Sequence, residues 1–176
     1  YRKDIGNFHD SITGVAATPA LLEQLGLDPA YAGWEVRTTV NGGDARVDGL
    51  EANLRQSLAP LGGWGKYFSF FANGTQLKLY GSRNAAFTRF IPQSFNYGFT
   101  VTKNPAALML KWNGRGEQKQ ATSAAQGPDA NLYEEKRTTT DLNFTWQFSR
   151  QLSLFANGRN IFNVHYTNLR YGSQTP

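Results

Sequence analysis

The sequence predicts an all-β chain: about seven antiparallel strands forming a segment of an up-and-down transmembrane β-barrel, with one short helix in an extracellular loop. The first supporting observation is strict alternation of apolar and polar residues, which gives a strand two different faces. The second is that the apolar rows are rich in aromatic residues, which make up 14% of the chain. The third is that short and long connections alternate along the chain, a pattern typical of outer-membrane barrels.

The clearest alternation lies in residues 140–148. The short connector Ser149-Arg150-Gln151 then leads into another apolar row, and strands joined this tightly must be antiparallel. Such strands fit lipid on one face and water on the other. The apolar row is Leu142, Phe144, Trp146 and Phe148, and the polar row is Asp141, Asn143, Thr145 and Gln147.

Composition narrows the class of protein. Mean hydropathy is −0.49, and no run approaches the roughly 20 apolar residues that a membrane-spanning helix needs. The absence of cysteine excludes disulfides and Cys-based metal sites. The 18 basic and 13 acidic residues are scattered, so no nucleic-acid partner is expected. A soluble β-sandwich or lipocalin-like barrel stays open as an alternative, because its strands also alternate.

The first third of the chain predicts two strands separated by a helix. Residues 1–13 form the first strand. Thr18 can cap a helix that has Pro19 at its first position and Gly26 at its end. Asn41-Gly42-Gly43 resembles a hairpin turn locally. The alternation of short and long connections instead requires one strand over residues 34–58, with a bulge or bend at that motif.

The rest of the chain predicts five further strands. Short connections are expected to be periplasmic turns and long ones extracellular loops. The strands lie at residues 66–80, at the alternating row Phe95, Tyr97, Phe99 and Val101, and at 107–120, 134–148 and 152–162. The short connections are 60–65, 103–106 and 149–151, and the long ones are 17–33, 81–92 and 121–132.

The chain is expected to be an internal piece of a longer protein. Met109 is the only methionine, and Tyr1 already lies in strand-like sequence. Seven strands cannot close an even-numbered barrel by themselves.

Two motifs carry a resemblance to a known family. Residues 41–51, Asn-Gly-Gly-Asp-Ala-Arg-Val-Asp-Gly-Leu-Glu, look like the "N-G-G-x-A-x-x-x-G-(L/V)-E" strand of TonB-dependent outer-membrane receptors. Residues 160–163, Asn-Ile-Phe-Asn, are similar to the "N-(L/I)-F-N" segment near the C-terminus of that family. Residues 110–115 and 141–148 look like its late strands. The resemblance therefore covers nearly the whole chain as the C-terminal part of the receptor barrel.

The resemblance implies a barrel of about 22 strands in the outer membrane of a Gram-negative bacterium. It implies import of a scarce nutrient, such as a ferric siderophore, cobalamin or a saccharide. The implied partners are the outer-membrane lipid bilayer, the receptor's own N-terminal plug domain, TonB acting through that plug, and a small-molecule ligand of unknown identity. The plug, the TonB-contacting segment and the last strand are not in this sequence.

Charged and polar residues of the late strands are the candidates for contact with the ligand or the plug. They are expected to face the lumen, where a polar wall is ordinary and a path for an anionic ligand is the sharper alternative. Outward-facing Tyr97, Trp112, Trp146 and Phe148 suit interfacial aromatic girdles. The lumen-facing candidates are Lys111, Arg115, Glu117, Lys119, Asp141 and Asn143.

No catalytic residue, cofactor site or metal site is predicted. His9 and His165 are far apart and lie in loop-like sequence, which is typical of solvated side chains. Residues 113–116 lie inside a strand rather than at a strand-to-helix turn, so a phosphate-loop interpretation fails. The chain is thus not expected to be an enzyme. The competing hypotheses are another outer-membrane barrel, porin-like or of the phospholipase type, and a soluble ligand-binding barrel.

Overall fold

The computed structural model describes residues 1–81, 87–122, 127 and 130–172, with backbone only at 11–15 and 122. These residues form antiparallel sheets and one α-helix, α1 (Pro19–Leu25). The strands are β1 (Arg2–Ile5), β2 (His9–Ala16), β3 (Glu35–Asn41), β4 (Ala45–Ser57), β5 (Phe68–Gly81), β6 (Gln93–Lys103), β7 (Ala106–Arg115), β8 (Gln118–Thr122), β9 (Asn131–Glu134), β10 (Arg137–Gln147), β11 (Ser153–Gly158) and β12 (Asn168–Tyr171).

The strands of the described residues form three sheets. The largest has the order β1-β4-β5-β6-β7-β10-β11, in which the strands from β4 to β7 are neighbours in sequence as well as in space. A second sheet has the order β12-β9-β8, and a third pairs β2 with β3. The chain divides into two compact units, one with residues 2–47 and 79–87, the other with residue 1, 48–78 and 88–176.

The smaller unit contains the helix that the sequence predicts. Thr18 Oγ1 accepts the Leu21 N–H at 3.3 Å, and Pro19 occupies the first turn, where its missing N–H costs nothing. Gly26 ends the helix in the left-handed conformation with φ of 66°. Leu22 is fully buried and packs in a small apolar cluster with Ala17 and Val36. The prediction of a short capped helix is confirmed.

Asn41-Gly42-Gly43 interrupts the strand and does not reverse it. β3 pairs with β2, and β4 is the neighbour of β1, so the chain does not fold back at this motif. Tyr1 exchanges two hydrogen bonds with Gly49, and His9 lies opposite Asn41. The number of residues from Tyr1 to His9 therefore equals the number from Asn41 to Gly49, and the register of the two chain segments is kept across the motif. The prediction of a bend rather than a hairpin is confirmed, although two strands replace the single strand predicted over 34–58 and another two replace 1–13.

The glycines of this motif allow aromatic rings to lie against the opposite strand. Gly43 has φ of 97°, a conformation that side chains rarely adopt. A Cβ atom at Gly42 would lie 2.2 Å from the Phe8 ring. At Gly49 it would lie 2.4 Å from the Tyr1 ring. An aromatic side chain covering a cross-strand glycine is a known device for stabilising a strand pair.

The larger unit contains most of β4 and β5 and the strands from β6 to β12. Short turns join β4 to β5, β6 to β7 at Asn104-Pro105, and β10 to β11, as predicted. The strand predicted over 107–120 is wrong, because β7 ends at Arg115 and β8 leaves for the second sheet. The Gly116 N–H donates to the Gln93 carbonyl just before this break.

Other predicted boundaries in this unit are also wrong. The loop predicted over 121–132 contains strand residues at both ends, which belong to β8 and β9, while 123–126 and 128–129 lie outside the described residues. The strand predicted over 134–148 is divided between β9 and β10, and the one predicted over 152–162 ends at Gly158. The 81–92 connection lies partly outside the described residues, at 82–86.

Large buried side chains are scarce in the described part of the chain. Among the residues that the structure describes, Leu22 is the only large one that is fully buried, and the other buried apolar residues are small, apart from Val36. None of the described helices is long and apolar enough to cross a membrane. The buried apolar residues are Ala17, Leu22, Val36, Ala45 and Ala130.

Candidate functional site

The largest sheet has two chemically different faces, which the strand register defines. Phe70 lies opposite Phe99, and Phe99 opposite Leu110, which in turn lies opposite Leu142. Residues directly opposite each other in antiparallel strands share a face. We call this side the apolar face and the other side the polar face. The apolar face also carries Phe68, Phe95, Tyr97, Val101, Leu108, Trp112, Phe144 and Trp146.

Aromatic rings cover much of the apolar face. The Tyr97 and Trp112 rings stack with centroids 5.2 Å apart and planes at 14°, and Phe95 stacks on Tyr97 at 6.0 Å. These rings are nevertheless 37–40% exposed at Phe95, Tyr97 and Trp146. Among the described residues, the apolar face thus satisfies its packing within its own plane and is not covered by a second layer.

Asp141 is the central polar contact on the opposite face. Its Oδ2 accepts a hydrogen bond from Asn113 Nδ2 at 2.8 Å and lies 3.8 Å from Lys111 Nζ. Its Oδ1 accepts the backbone N–H of Asn160 at 2.9 Å. The two side chains of this ion pair are partly exposed, at 34% for Lys111 and 21% for Asp141. Asp141 therefore links β7 and β10 to the segment that follows β11.

That segment, residues 160–164, closes on itself through Asn160. The Asn160 side chain accepts the Val164 N–H at 2.9 Å and donates to the Val164 carbonyl at 3.0 Å. Asn160 and Asn163 both have positive φ, at 48° and 51°, which asparagine tolerates better than most residues. The Ile161 N–H also donates to the Thr140 carbonyl. The Asn-Ile-Phe-Asn motif is therefore a tight bend tied to β10.

A second polar cluster surrounds Glu134 at the end of β9. Its Oε1 contacts both Arg115 Nη2 and Arg137 Nη1, and its Oε2 accepts a hydrogen bond from Gln120 Nε2 at 2.6 Å. The three charged side chains are only 14–21% exposed. The Arg137 guanidinium also lies 3.6 Å from the centroid of the Tyr166 ring. One carboxylate thus stands between two arginines in a partly dehydrated site.

In the described part of the chain, Arg137 lines two cavities. The first has a volume of about 260 Å³ and is lined by Arg115, Lys136 and Arg137 together with Gln93 and Phe95. The second, of about 310 Å³, has Glu135, Lys136, Arg137 and His165 among its lining residues. Among the described residues, Arg115 Nε is buried and has no hydrogen-bond partner. The cluster therefore has a positive excess and one unused donor, which suits a negatively charged or strongly accepting group.

The structure brings four of the six candidate residues onto one face. Lys111, Arg115, Asp141 and Asn143 all lie on the polar face of β7 and β10. Glu117 is exposed between β7 and β8, and Lys119 lies on β8 in the second sheet. The row of charges expected along one strand therefore ends at Arg115.

Sequence reasoning missed Glu134, Arg137 and Asn160. Glu134 and Arg137 are three residues apart, but nothing local shows that Arg115 reaches the same carboxylate from another strand. Asn160 was part of a recognised motif, but its hydrogen bond to Asp141 cannot be predicted from a linear pattern. These contacts depend on pairings between distant strands, which is why the sequence did not indicate them.

The two histidines have different settings. The expectation of a loop for His9 is wrong, because it begins β2, where its side chain is exposed. His165 lies outside any strand and is exposed. In the ranges that the structure describes, no three His, Cys, Asp or Glu side chains are grouped so that they could hold a metal ion.

Comparison of the chain with protein-family models, with curated proteins and with solved structures gives no match.

Proposed function

We propose that this chain is the C-terminal portion of the β-barrel of a TonB-dependent receptor in the outer membrane of a Gram-negative bacterium. The observation that carries the proposal is the uncovered aromatic face of the long antiparallel sheet. On the opposite, polar face, side chains of neighbouring strands are joined by hydrogen bonds and an ion pair. If water lay on both sides of the sheet, the exposed aromatic face would carry a large free-energy cost. Lipid on one side and a hydrated lumen on the other accommodates both faces.

In this proposal the apolar face of β5, β6, β7 and β10 contacts hydrocarbon, and the polar face lines the lumen. The Lys111–Asp141–Asn113 contacts join neighbouring strands on the lumen side. The cluster around Glu134 presents Arg115 and Arg137 where a ligand or the plug domain would pass. The nutrient, the plug and the coupling to TonB belong to the complete receptor, and its ligand is a scarce nutrient such as a ferric siderophore, cobalamin or a saccharide.

The two motifs that carry the resemblance have physical roles consistent with this proposal. The Asn-Gly-Gly motif bends a long strand pair while keeping its register, as long barrel strands require. The Asn-Ile-Phe-Asn motif forms the bend that follows β11 and attaches it to Asp141. Both motifs therefore have a structural role in the proposed barrel wall and no catalytic role.

Tryptophan quenching by brominated lipid tests the facing of the wall. In the full-length protein reconstituted in vesicles, a variant with tryptophan only at Trp112 should be strongly quenched. A matched variant with tryptophan only at position 111, made as Lys111→Trp with Trp112→Phe, should be quenched weakly. Equal quenching at the two positions, or none at either, contradicts the proposed facing. A soluble ligand-binding barrel would give no quenching at either position.

Nutrient uptake tests the dependence on TonB. Cells that need the full-length protein to use a scarce nutrient should lose that growth when TonB is deleted. Growth that persists without TonB would favour a porin-like barrel. Hydrolysis of phospholipid by the purified protein would favour the phospholipase type.

A further inference from the structure

One end of the apolar face is both basic and aromatic. We call Trp64, Lys66, Tyr67 and Lys103 the basic rim. Lys103 is the last residue of β6, and by alternation it continues the row of Phe99 and Val101 on the apolar face. Trp64 and Tyr67 belong to the turn between β4 and β5.

The lysines of the basic rim contact aromatic rings rather than carboxylates. Lys103 Nζ lies 5.2 Å from the centroid of the Trp64 ring and 5.5 Å from that of Tyr67. Lys66 Nζ lies 5.0 Å from the Tyr67 centroid. Neither lysine has an ion-pair partner among the described residues. The two positive charges are thus held close to one ring and remain uncompensated.

The charge of this end is one-sided in the sequence as well. The segments 58–67, 102–107 and 147–152 form the short turns and contain no Asp or Glu. They contain three cations, Lys66, Lys103 and Arg150. The large apolar residues here are strongly exposed, at 72% for Trp64 and 78% for Leu61. Apolar contact area and positive charge therefore adjoin at one edge of the face.

We propose that the basic rim binds the headgroup of an anionic phospholipid, such as phosphatidylglycerol. This inference rests on the proposed membrane location of the sheet. The phosphate would lie between the lysine ammonium groups, and the acyl chains would lie along Phe99 and Val101. Indole and phenol rings favour the headgroup level, and lysine side chains extend toward it. A free phosphate or an acidic protein segment would use the charges but leave the adjoining apolar face unexplained.

Lipid retention tests this binding. The full-length protein is reconstituted in vesicles of equal phosphatidylcholine and phosphatidylglycerol and extracted in mild detergent, and its retained lipids are counted by native mass spectrometry. The wild type should retain phosphatidylglycerol preferentially. Lys66→Gln/Lys103→Gln should lower that preference by roughly fivefold per lysine, the effect of one basic residue at a membrane surface.

Two controls separate specific contact from general charge. Lys66→Arg/Lys103→Arg keeps both charges and should keep the preference. Lys3→Gln/Arg55→Gln removes two charges elsewhere; Arg55 follows Leu54 on β4, so its side chain lies on the other face. This variant should retain lipid like the wild type. An equal loss in this variant would overturn the inference, as would loss of retention on adding inorganic phosphate alone.

The outcomes also separate this inference from the proposed function. Insertion into vesicles without any preference for phosphatidylglycerol overturns the lipid site and leaves the membrane location standing. Failure of the wild type to insert into vesicles of any composition overturns both.

Discussion

The two faces of the long sheet are stabilised in different ways. On the apolar face, rings such as Tyr97 and Trp112 stack on one another and remain partly exposed. On the polar face, Asn113, Lys111 and Asp141 are joined across strands by hydrogen bonds and charge. The difference teaches that no single solvent suits both faces, because an uncovered aromatic surface is costly in water and charged side chains are costly in hydrocarbon. The proposed function assigns lipid to the apolar face and water to the polar face.

The polar face is not uniformly polar. Phe71 and Phe155 lie on it by register, and Phe155 is 72% exposed. Met109 lies on the same face and accepts a contact from Asn143 Nδ2 at 3.8 Å. The two faces therefore differ in their balance of apolar and polar side chains rather than at every position.

The largest expected effect is that of a charge placed on the apolar face. If the apolar face contacts lipid as proposed, Leu110→Lys should destabilise the full-length protein in vesicles by about 2–4 kcal/mol, because a lysine near the bilayer midplane is costly. Lys111→Leu, at the adjacent position, removes one charge from the polar face and should change stability by less than about 1 kcal/mol. Folding titrations with urea in lipid vesicles measure both.

A second pair on another strand repeats the contrast. Phe144→Lys should lower stability more than Asn143→Lys in the same titration. Phe144 lies opposite Leu108 on the apolar face, whereas Asn143 lies opposite Met109 on the polar face. Equal losses of stability within both pairs would mean that the two faces do not contact lipid and water. Greater damage at Lys111 and Asn143 would place the apolar row against an interior wall.

The next effect concerns Glu134. Glu134→Gln leaves Arg115 and Arg137 close together without a carboxylate between them, in a site where both are about four-fifths buried. We expect a loss of about 1–3 kcal/mol, because breaking a buried pair leaves uncompensated charge. Glu117→Gln removes the same charge from an exposed residue and should cost less than about 0.5 kcal/mol. Urea titration of the two variants under one condition gives the difference, and equal values would mean that the cluster is solvated.

A smaller effect is expected where an aromatic ring covers a glycine. A Cβ atom at Gly114 would lie 2.0 Å from the Phe95 ring, so Gly114→Ala must displace that ring from the apolar face. We expect a cost of about 1–2 kcal/mol, as for overpacking. Gly116→Ala has its nearest neighbour at 3.4 Å and should be close to neutral. Phe95→Ala in the Gly114→Ala background should remove the clash, and a thermal scan of all four proteins would show whether it does.

Local pattern predicted what lies within single strands and failed where distant segments pair. The alternation of Phe95 to Val101 and of Leu142 to Trp146 gave the correct faces, because each strand carries that information itself. The bend at Asn41-Gly42-Gly43 was predicted from the order of connections rather than from the motif alone. The sheet β12-β9-β8 was missed, because β9 and β12 are four residues long and pair over more than thirty residues. The Glu134 cluster depends on that sheet and was missed with it.

The smallest expected effect tests whether the Asn160 side chain stabilises the bend after β11. Asn160→Gly removes the two side-chain hydrogen bonds to Val164 but keeps a residue that accepts φ of 48°. We expect a loss of about 1 kcal/mol, because two partly exposed hydrogen bonds are lost while glycine adds no strain. Asn163→Gly is the matched control: it has φ of 51°, and no side-chain hydrogen bond is present for it among the described residues. It should stay within about 0.5 kcal/mol of the wild type in the same urea titration. Equal losses would assign the effect to glycine flexibility in the unfolded chain, and the Asn160 side chain would then have no special part in closing the bend on Val164.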